Sequence, residues 1–366
     1  MKKYNGSWRG VIGHNIRFPQ ANWGLVIVPG TRRDAGSNPA AAIFFELAWK
    51  QTILSKMRIG LIDVDGGKNF PNIPLMKLSA WHKKRGDTVE WYDPLFSGHF
   101  DKVYMSKVFS FTPDYEFPID ADEIERGGSG YCISYVDGKE VFDSSKNKEL
   151  PSEIEHIYPD YTIYPLLTQD TAFGFLTRGC PRGCDFCIVG KKEGRRSIKV
   201  ADLSEFWRGQ KRIVLCDPNI LACKDWRDLF RQLHESGSEI DFNQGLDIRL
   251  MTEEKARAIS QLKIKEIHFA WDRYEDKELV VPKLKLFAEV TKIKPQAHKA
   301  IVYTLVNFTT TFEQDLDRIY TLRDLGYWPY VMIYDKQNCA KQYKKLQRWV
   351  NMRSTFATVK RFEDYK

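Results

Sequence analysis

The sequence predicts an α/β protein in which a partial (β/α)6 barrel follows a small Rossmann-like α/β domain. Two observations support this prediction: a buried-strand pattern that begins at Met57, and a longer alternation of strand and helix patterns over residues 166–366. Such alternation builds parallel sheets, because each helix returns the chain to the same edge of the sheet. A chain of 366 residues is long enough for both units.

The N-terminal part divides into two regions. Residues 1–56 are interpreted as an extension of uncertain structure with one helix candidate, Ala40–Lys50. The Rossmann-like domain is assigned to residues 57–136, because the apolar run after Met57 ends in Asp and Gly, as first strands of such domains usually do. The pattern then predicts a helix followed by two strands, at Leu75–Arg85, Thr88–Tyr92 and Lys102–Phe109.

A linker is predicted between the two units. Residues 137–165 are polar and interrupted by prolines, which is typical of a connecting segment. The Gly-Gly-Ser-Gly stretch at residues 127–130 is interpreted as a plain turn, since it lacks the spacing of a phosphate-binding loop.

Six strand–helix units are predicted over residues 166–366, the last of them ending in a C-terminal helix. Asp225 and Thr252 are expected to cap two helices, and Gly237 and Gly326 to end two. Catalytic groups of such a barrel belong at the carboxyl ends of its strands. Strands are expected at 172–178, 212–217, 239–244, 266–271, 299–306 and 330–335, with helices near 201–208, 225–236, 252–262, 281–292, 312–325 and 341–352.

Composition narrows the class of protein. Seven cysteines, three of them within eight positions, do not resemble a disulfide framework, and reduced thiols favour a cytoplasmic protein. No apolar run is long enough for a membrane span, so no membrane partner is expected. The net charge of +8 keeps nucleic acid possible as a partner, although clusters of Lys and Arg are more often solvated surfaces than phosphate contacts. The basic clusters are Lys191-Lys192, Arg195-Arg196 and Lys341, Lys344, Lys345 and Arg348.

The most specific feature is a cysteine loop after the first predicted barrel strand. Cys180, Cys184 and Cys187 have C-x3-C-x2-C spacing, which can direct three thiolates to one side of a cubane iron–sulfur cluster. No fourth cysteine lies at motif distance, so one iron would stay open. Zinc is the alternative, but a structural zinc needs four ligands and the sequence offers no nearby Cys or His to complete the set.

This loop, Cys-Pro-Arg-Gly-Cys-Asp-Phe-Cys with Phe186 before its last cysteine, resembles the radical S-adenosylmethionine (SAM) superfamily. The resemblance covers about residues 160–350. It implies a barrel of that type, a [4Fe–4S] cluster whose open iron binds the amino and carboxylate groups of SAM, and reductive cleavage of SAM to a 5′-deoxyadenosyl radical. It also implies a reductase or flavodoxin-like electron donor, and a substrate, small or macromolecular, that the sequence does not specify.

The resemblance carries further residues over by position at the strand ends. The expected Gly-Gly-Glu-like stretch after the second strand is replaced here by Cys216-Asp-Pro-Asn219. Arg249 is suited to bidentate pairing with the methionine carboxylate. No catalytic side chain is assigned. The residues implied to bind the cofactor are Phe186, Asp217, Asn219, Gln244, Arg249, Asp272 and Asn307.

The N-terminal domain resembles the cobalamin-binding domain that is fused to one class of radical SAM enzymes. The signature histidine of that domain is missing from the Asp63-Val-Asp-Gly-Gly loop, which does not exclude cobalamin because many members lack it. The domain is also short, so a degenerate domain without cobalamin is favoured over one that binds it. Two other functions are open, an iron–sulfur electron carrier without SAM chemistry and a zinc-stabilised binding module. The six-unit barrel argues against both, because such proteins are usually small.

Overall fold

The computed structural model describes residues 56–67, 70–136, 139–292 and 300–366. It is an α/β protein built on parallel sheets, as the sequence predicts. The predicted extension up to residue 55, with its helix candidate Ala40–Lys50, lies outside the described residues. None of the helices in the described ranges has the length and apolar character needed to cross a lipid bilayer.

The first sheet has four parallel strands in the order β2-β1-β3-β4. Its helix α1 starts where the Asn72 side chain accepts a hydrogen bond from the Leu75 backbone N–H, and it ends at Gly86, whose φ of 90° is left-handed. The two strands predicted here both form, each beside β1. The elements are β1 (Arg58–Asp63), α1 (Ile73–Arg85), β2 (Thr88–Trp91), β3 (Phe100–Ser106) and β4 (Ala121–Gly127).

The segment predicted as a linker packs against this sheet and its helix. Leu150 and Ile154 belong to the apolar core of the first sheet, and the Trp91 indole donates to the Ile163 carbonyl at 3.2 Å. Lys77 on α1 forms an ion pair with Glu155 at 2.8 Å. The elements between β4 and the next sheet are α2 (Ser129–Cys132), an antiparallel hairpin of β5 (Ile133–Val136) and β6 (Lys139–Phe142), α3 (Ser152–Glu155) and α4 (Pro165–Thr168).

The remaining strands form two further parallel sheets, β12-β11-β10-β7 and β13-β14-β15. An isolated parallel bridge between Leu246 and Phe269 links them. A short antiparallel pair, β8 with β9, brackets the cysteine loop. The strands are β7 (Thr171–Gly174), β8 (Thr177–Arg178), β9 (Ile198–Lys199), β10 (Arg212–Leu215), β11 (Glu239–Phe242), β12 (Lys263–Ile264), β13 (Ile267–Ala270), β14 (Ala300–Val306) and β15 (Trp328–Ile333).

The helices that follow these strands bury one apolar face each. Thr252 caps its helix as predicted, accepting from the Lys255 N–H, whereas the Asp225 side chain makes no capping hydrogen bond. Gly237 and Gly326, with φ of 62° and 80°, stand at helix ends as expected. The helices are α5 (Val189–Lys192), α6 (Trp226–Ser236), α7 (Glu253–Ser260), α8 (Lys277–Thr291), α9 (Phe312–Asp324), α10 (Lys341–Asn351) and α11 (Arg353–Thr358).

One predicted helix does not form. The pattern over 201–208 predicts a full helix, but the chain makes a single 3-10 turn, Leu203–Glu205. Asp202 and Glu205 cap that turn reciprocally. Phe206 then leaves helical geometry at φ of −135° and is buried. Burial of Leu203 and Phe206 in the core outweighs helical continuation.

Candidate functional site

The cysteine loop, residues 179–197, is held at its two ends. Gly179 has φ of 80°, and a Cβ there would lie 2.2 Å from the Arg196 carbonyl oxygen, so only glycine fits. The Cys180 N–H donates to the Gly194 carbonyl at 3.1 Å, and the Cys187 N–H donates to the Cys184 carbonyl at 3.0 Å. All three thiols of the loop are half-buried, and none of the cysteines in the described residues forms a disulfide.

The three cysteines line a cleft of about 100 Å³. Phe186, Asn219, Gln244, Arg249 and Asp272, all predicted from the sequence, line the same cleft. Asp217 and Asn307 are not part of its wall. Residues that sequence reasoning did not single out complete the lining, and these are Arg182, Val189, Glu193, Cys216, Pro218, Gly245, Leu246, Asp247 and Ala270.

Asp217 lies behind the cleft. Its carboxylate accepts hydrogen bonds from the Leu176 N–H at 3.2 Å and the Thr177 hydroxyl at 2.6 Å, and also from the Thr177 N–H. These bonds fix the turn that leads into the cysteine loop, instead of offering the carboxylate to an ammonium group. Burial, only partly offset by these bonds, raises the pKa of Asp217 from 3.8 to about 6.

This raised pKa has a measurable consequence for stability. Between pH 4 and 6 folded Asp217 retains a proton that the unfolded chain releases, so its contribution becomes less favourable as pH rises through that window. Asp217→Asn removes this dependence. We expect the Tm of the wild type minus the Tm of the variant to fall from pH 4 to pH 6 and then to level off. Calorimetric scans over this range measure it, and a constant difference would contradict the assignment.

Asn219 connects the cysteine loop to the loop after β11. It is 2% exposed, and its Nδ2 group donates to the Cys180 sulfur and to the Asp247 carboxylate, each at 3.4 Å. Its Oδ1 atom is buried and has no hydrogen-bond partner among the described residues, and the same is true of the Gln244 Nε2 atom. Buried polar atoms without partners are uncommon, so one acceptor and one donor in this cleft are available to a ligand.

Two arginines clamp Asp247 at the cleft wall. Arg249 donates to its Oδ1 atom at 2.7 Å, and Arg182 donates to its Oδ2 atom at 2.8 Å. Burial alone would raise the pKa of Asp247, but these two guanidinium groups lower it below the usual value. Arg249 also pairs with Asp276 at 2.9 Å. Arg249 is therefore committed to protein carboxylates, whereas Arg182, inside the cysteine motif, donates to Asp247 through Nε alone.

An aromatic row leads from the cleft to the last strands. Phe186 packs edge-on against Phe308, with ring centroids 5.5 Å apart, and Phe308 packs against Tyr334 at 4.6 Å. Asn307, in left-handed geometry with φ of 61°, donates through Nδ2 to the Tyr334 carbonyl at 3.0 Å. Asn307 therefore shapes the loop that presents Phe308 and does not line the cleft itself. The aromatic residue at 308 could have been anticipated from its position two residues after β14.

The glycine-rich stretch at residues 127–130 packs tightly and is more than a plain turn. A Cβ at Gly128 would lie 2.3 Å from the Lys107 carbonyl oxygen. Ser129 accepts a hydrogen bond from Lys192, at the end of α5, at 2.6 Å. Burial lowers the pKa of Lys192 to about 8. This contact ties α2 to α5, the short helix within the cysteine loop.

A second cavity of about 590 Å³ lies at the carboxyl ends of β1 and β2. Its walls are mainly aromatic and acidic. The Tyr164 hydroxyl donates to Asp63 at 2.6 Å, and burial raises the pKa of Asp63 to about 6. No histidine is among its described lining residues, which include Asp63, Gly66, Gly67, Trp91, Tyr92, Tyr115, Phe117 and Tyr164.

Within the described residues, no three His, Cys, Asp or Glu side chains are gathered closely enough to share one metal ion. A cubane cluster binds each thiolate through a different iron atom, so its ligands are spread and not gathered on one ion. No protein-family model matches this chain, and no curated protein is significantly similar to it. The α/β fold and the cysteine-lined cleft are therefore the basis for a functional proposal.

Proposed function

We propose that this protein is a radical SAM enzyme, in which Cys180, Cys184 and Cys187 hold a [4Fe–4S] cluster. The observation that supports this most directly is the cleft itself. Three thiols from one loop share its walls with unpartnered polar atoms from the ends of β10 and β11. The order β7, β10, β11, β13, β14 and β15, with the Leu246–Phe269 bridge, is compatible with a partial barrel of the radical SAM type.

A fourth cysteine in the cleft wall, Cys216, is poorly suited to be a cluster ligand. It is 1% exposed and packs among Ile73, Phe173, Phe175 and Val214. Burial raises the pKa of its thiol well above the usual value, which disfavours the thiolate that a cluster requires. The donor set thus fits a cluster with three protein ligands and one open iron.

The other lining residues fit the two ends of the methionine part of SAM. The free Oδ1 atom of Asn219 can accept a hydrogen bond from the ammonium group of SAM, and the Nε2 group of Gln244 can donate one to an oxygen of SAM. Arg182 donates to Asp247 through its Nε group, so its terminal N–H groups can donate to the methionine carboxylate. A bound cluster would supply one electron for cleavage of the C5′–S bond, which gives methionine and the 5′-deoxyadenosyl radical. The chain's own role is to orient SAM and to exclude water.

Anaerobic reconstitution tests the proposal. We expect full-length protein treated with iron and sulfide to give the electron paramagnetic resonance signal of one reduced [4Fe–4S] cluster. After dithionite reduction it should convert SAM to 5′-deoxyadenosine, which chromatography detects, without added cobalamin. In the cell, a reductase or flavodoxin-like protein of the cytoplasm would take the place of dithionite. A protein that takes up zinc but no iron would support the zinc-stabilised binding module. A protein that holds the cluster but never cleaves SAM would support the iron–sulfur electron carrier.

A further inference from the structure

The positive charge of the chain is concentrated near its C-terminus. Residues 336–362 contain eight Lys or Arg and no Asp or Glu, which equals the net charge of +8 of the whole chain. The remaining residues are therefore balanced in charge. A segment with this composition generates a local positive potential that the rest of the surface does not.

Helix α10 arranges part of this charge as a stripe. Its apolar face, with Tyr343, Leu346, Trp349 and Val350, is buried in the core that it shares with β15. Its exposed face carries four cations at three- and four-residue spacing, which places them on one side of the helix. We call these four the α10 stripe, and they are Lys341, Lys344, Lys345 and Arg348.

The four cations of the α10 stripe have no acidic partner among the described residues. Among the described residues none of its four side chains forms an ion pair, although Lys345 lies 5.5 Å from the Phe362 ring centroid. Several exposed cations elsewhere do pair with neighbouring acids, including Lys211 with Asp170, Arg227 with Glu254, Arg231 with Glu235, and Arg257 with Glu253. The stripe is thus available to an external anion.

The α10 stripe begins beyond the carboxyl end of β15, and the cysteine cleft lies at the carboxyl ends of β10 and β11. Helix α10 follows the loop after β15, and Tyr334 in that loop continues the aromatic row from Phe186 and Phe308. The cysteine loop adds three more exposed cations that form no ion pair with a described residue, Lys191, Arg195 and Arg196. The aromatic row therefore starts in the cysteine loop that carries these three cations and ends in the loop that precedes α10.

We propose that the α10 stripe and the three cations of the cysteine loop bind a single-stranded nucleic acid and present one of its bases to the cleft. The presentation step rests on the function proposed above. The phosphates match unpaired Lys and Arg side chains, and the aromatic row offers rings on which bases stack. A base must leave its pair before it can enter a cleft between strand ends, and a single strand avoids the free energy that this unpairing costs. An anionic membrane fits less well, because α10 turns its apolar face into the protein and offers none to lipid.

The test compares two full-length variants with equal loss of charge. The stripe variant carries Lys341→Gln, Lys344→Gln, Lys345→Gln and Arg348→Gln, and the control carries Lys211→Gln, Arg227→Gln, Arg231→Gln and Arg257→Gln. Fluorescence anisotropy measures binding of a labelled 20-nucleotide RNA, the DNA of the same sequence, and its duplex over a salt series. We expect at least one single strand to bind more tightly than the duplex. We also expect the stripe variant to bind it at least roughly tenfold more weakly, with a salt slope lower by up to about 3, and the control to bind like the wild type.

Equal binding by both variants would overturn the proposal, and so would preference for the duplex, or stripe-dependent binding of phosphatidylserine vesicles without binding of oligonucleotides. The stripe lies outside the cleft wall, so SAM cleavage without substrate should be unchanged in the stripe variant. Stripe-dependent binding in a protein that never cleaves SAM would refute the proposed function alone. If SAM is cleaved but oligonucleotide binding does not depend on the stripe, only the proposed nucleic-acid binding by this surface is refuted.

Discussion

Replacement of Cys180, Cys184 and Cys187 together by alanine is expected to abolish iron binding and to reduce SAM cleavage to the level without enzyme. The three thiols lie on one loop and line one cleft, and the only other cysteine of that cleft, among the described residues, is the buried Cys216. Burial disfavours the thiolate form of Cys216, so we do not expect it to replace the missing ligands. Iron and sulfide analysis after anaerobic reconstitution measures the loss, with chromatography of 5′-deoxyadenosine beside it.

A matched variant removes three other thiols. Cys132→Ala, Cys223→Ala and Cys339→Ala leave the loop and the cleft wall intact, so the variant should retain its cluster and its activity. Far-ultraviolet circular dichroism checks that both variants are folded. Iron retained by the loop variant, or lost from the matched variant, would mean that the ligands have been assigned to the wrong cysteines.

The elements that sequence patterns predicted well are those with strong local signals. The apolar strands after Met57 and around residues 212, 240, 268 and 302 form because continuous runs of this kind are buried on both faces of parallel sheets. Thr252 caps α7 through a hydrogen bond that depends only on neighbouring residues. Local chemistry was sufficient for these features.

The candidate site was predictable in its location and less so in its contacts. Polar residues after successive parallel strands meet at one edge, and this rule anticipated Asn219, Gln244 and Asp272 in the cleft wall. The rule does not say which carboxylates face inward. Asp217 turns back to bind Thr177, and Asp247 sits between Arg182 and Arg249. Such choices depend on contacts across 40 to 65 positions of sequence, which no local pattern encodes.

A buried ion pair supports the loop that presents Phe308. Arg318 and Asp315 on α9 are both 0% exposed and are paired with each other. Arg318 also donates to the carbonyl oxygens of Trp271 at 2.7 Å and Leu305 at 2.6 Å, at the ends of β13 and β14. Asp315 accepts from the Asn307 N–H at 3.2 Å. The pair therefore joins two strand ends to the loop that follows β14.

Asp315→Leu and Arg318→Met are each expected to lower the free energy of unfolding by about 3–5 kcal/mol, because each leaves one uncompensated charge in the interior. The double variant removes both charges, so it should cost clearly less than the sum of the two single changes. Urea unfolding followed by circular dichroism measures all four members of this cycle. Costs below about 1 kcal/mol for either single variant, or simple additivity, would show that the charges are solvated or uncoupled in solution. Because the pair fixes the Asn307–Phe308 turn, we also expect the double variant to bind single-stranded nucleic acid more weakly even where its stability is partly regained.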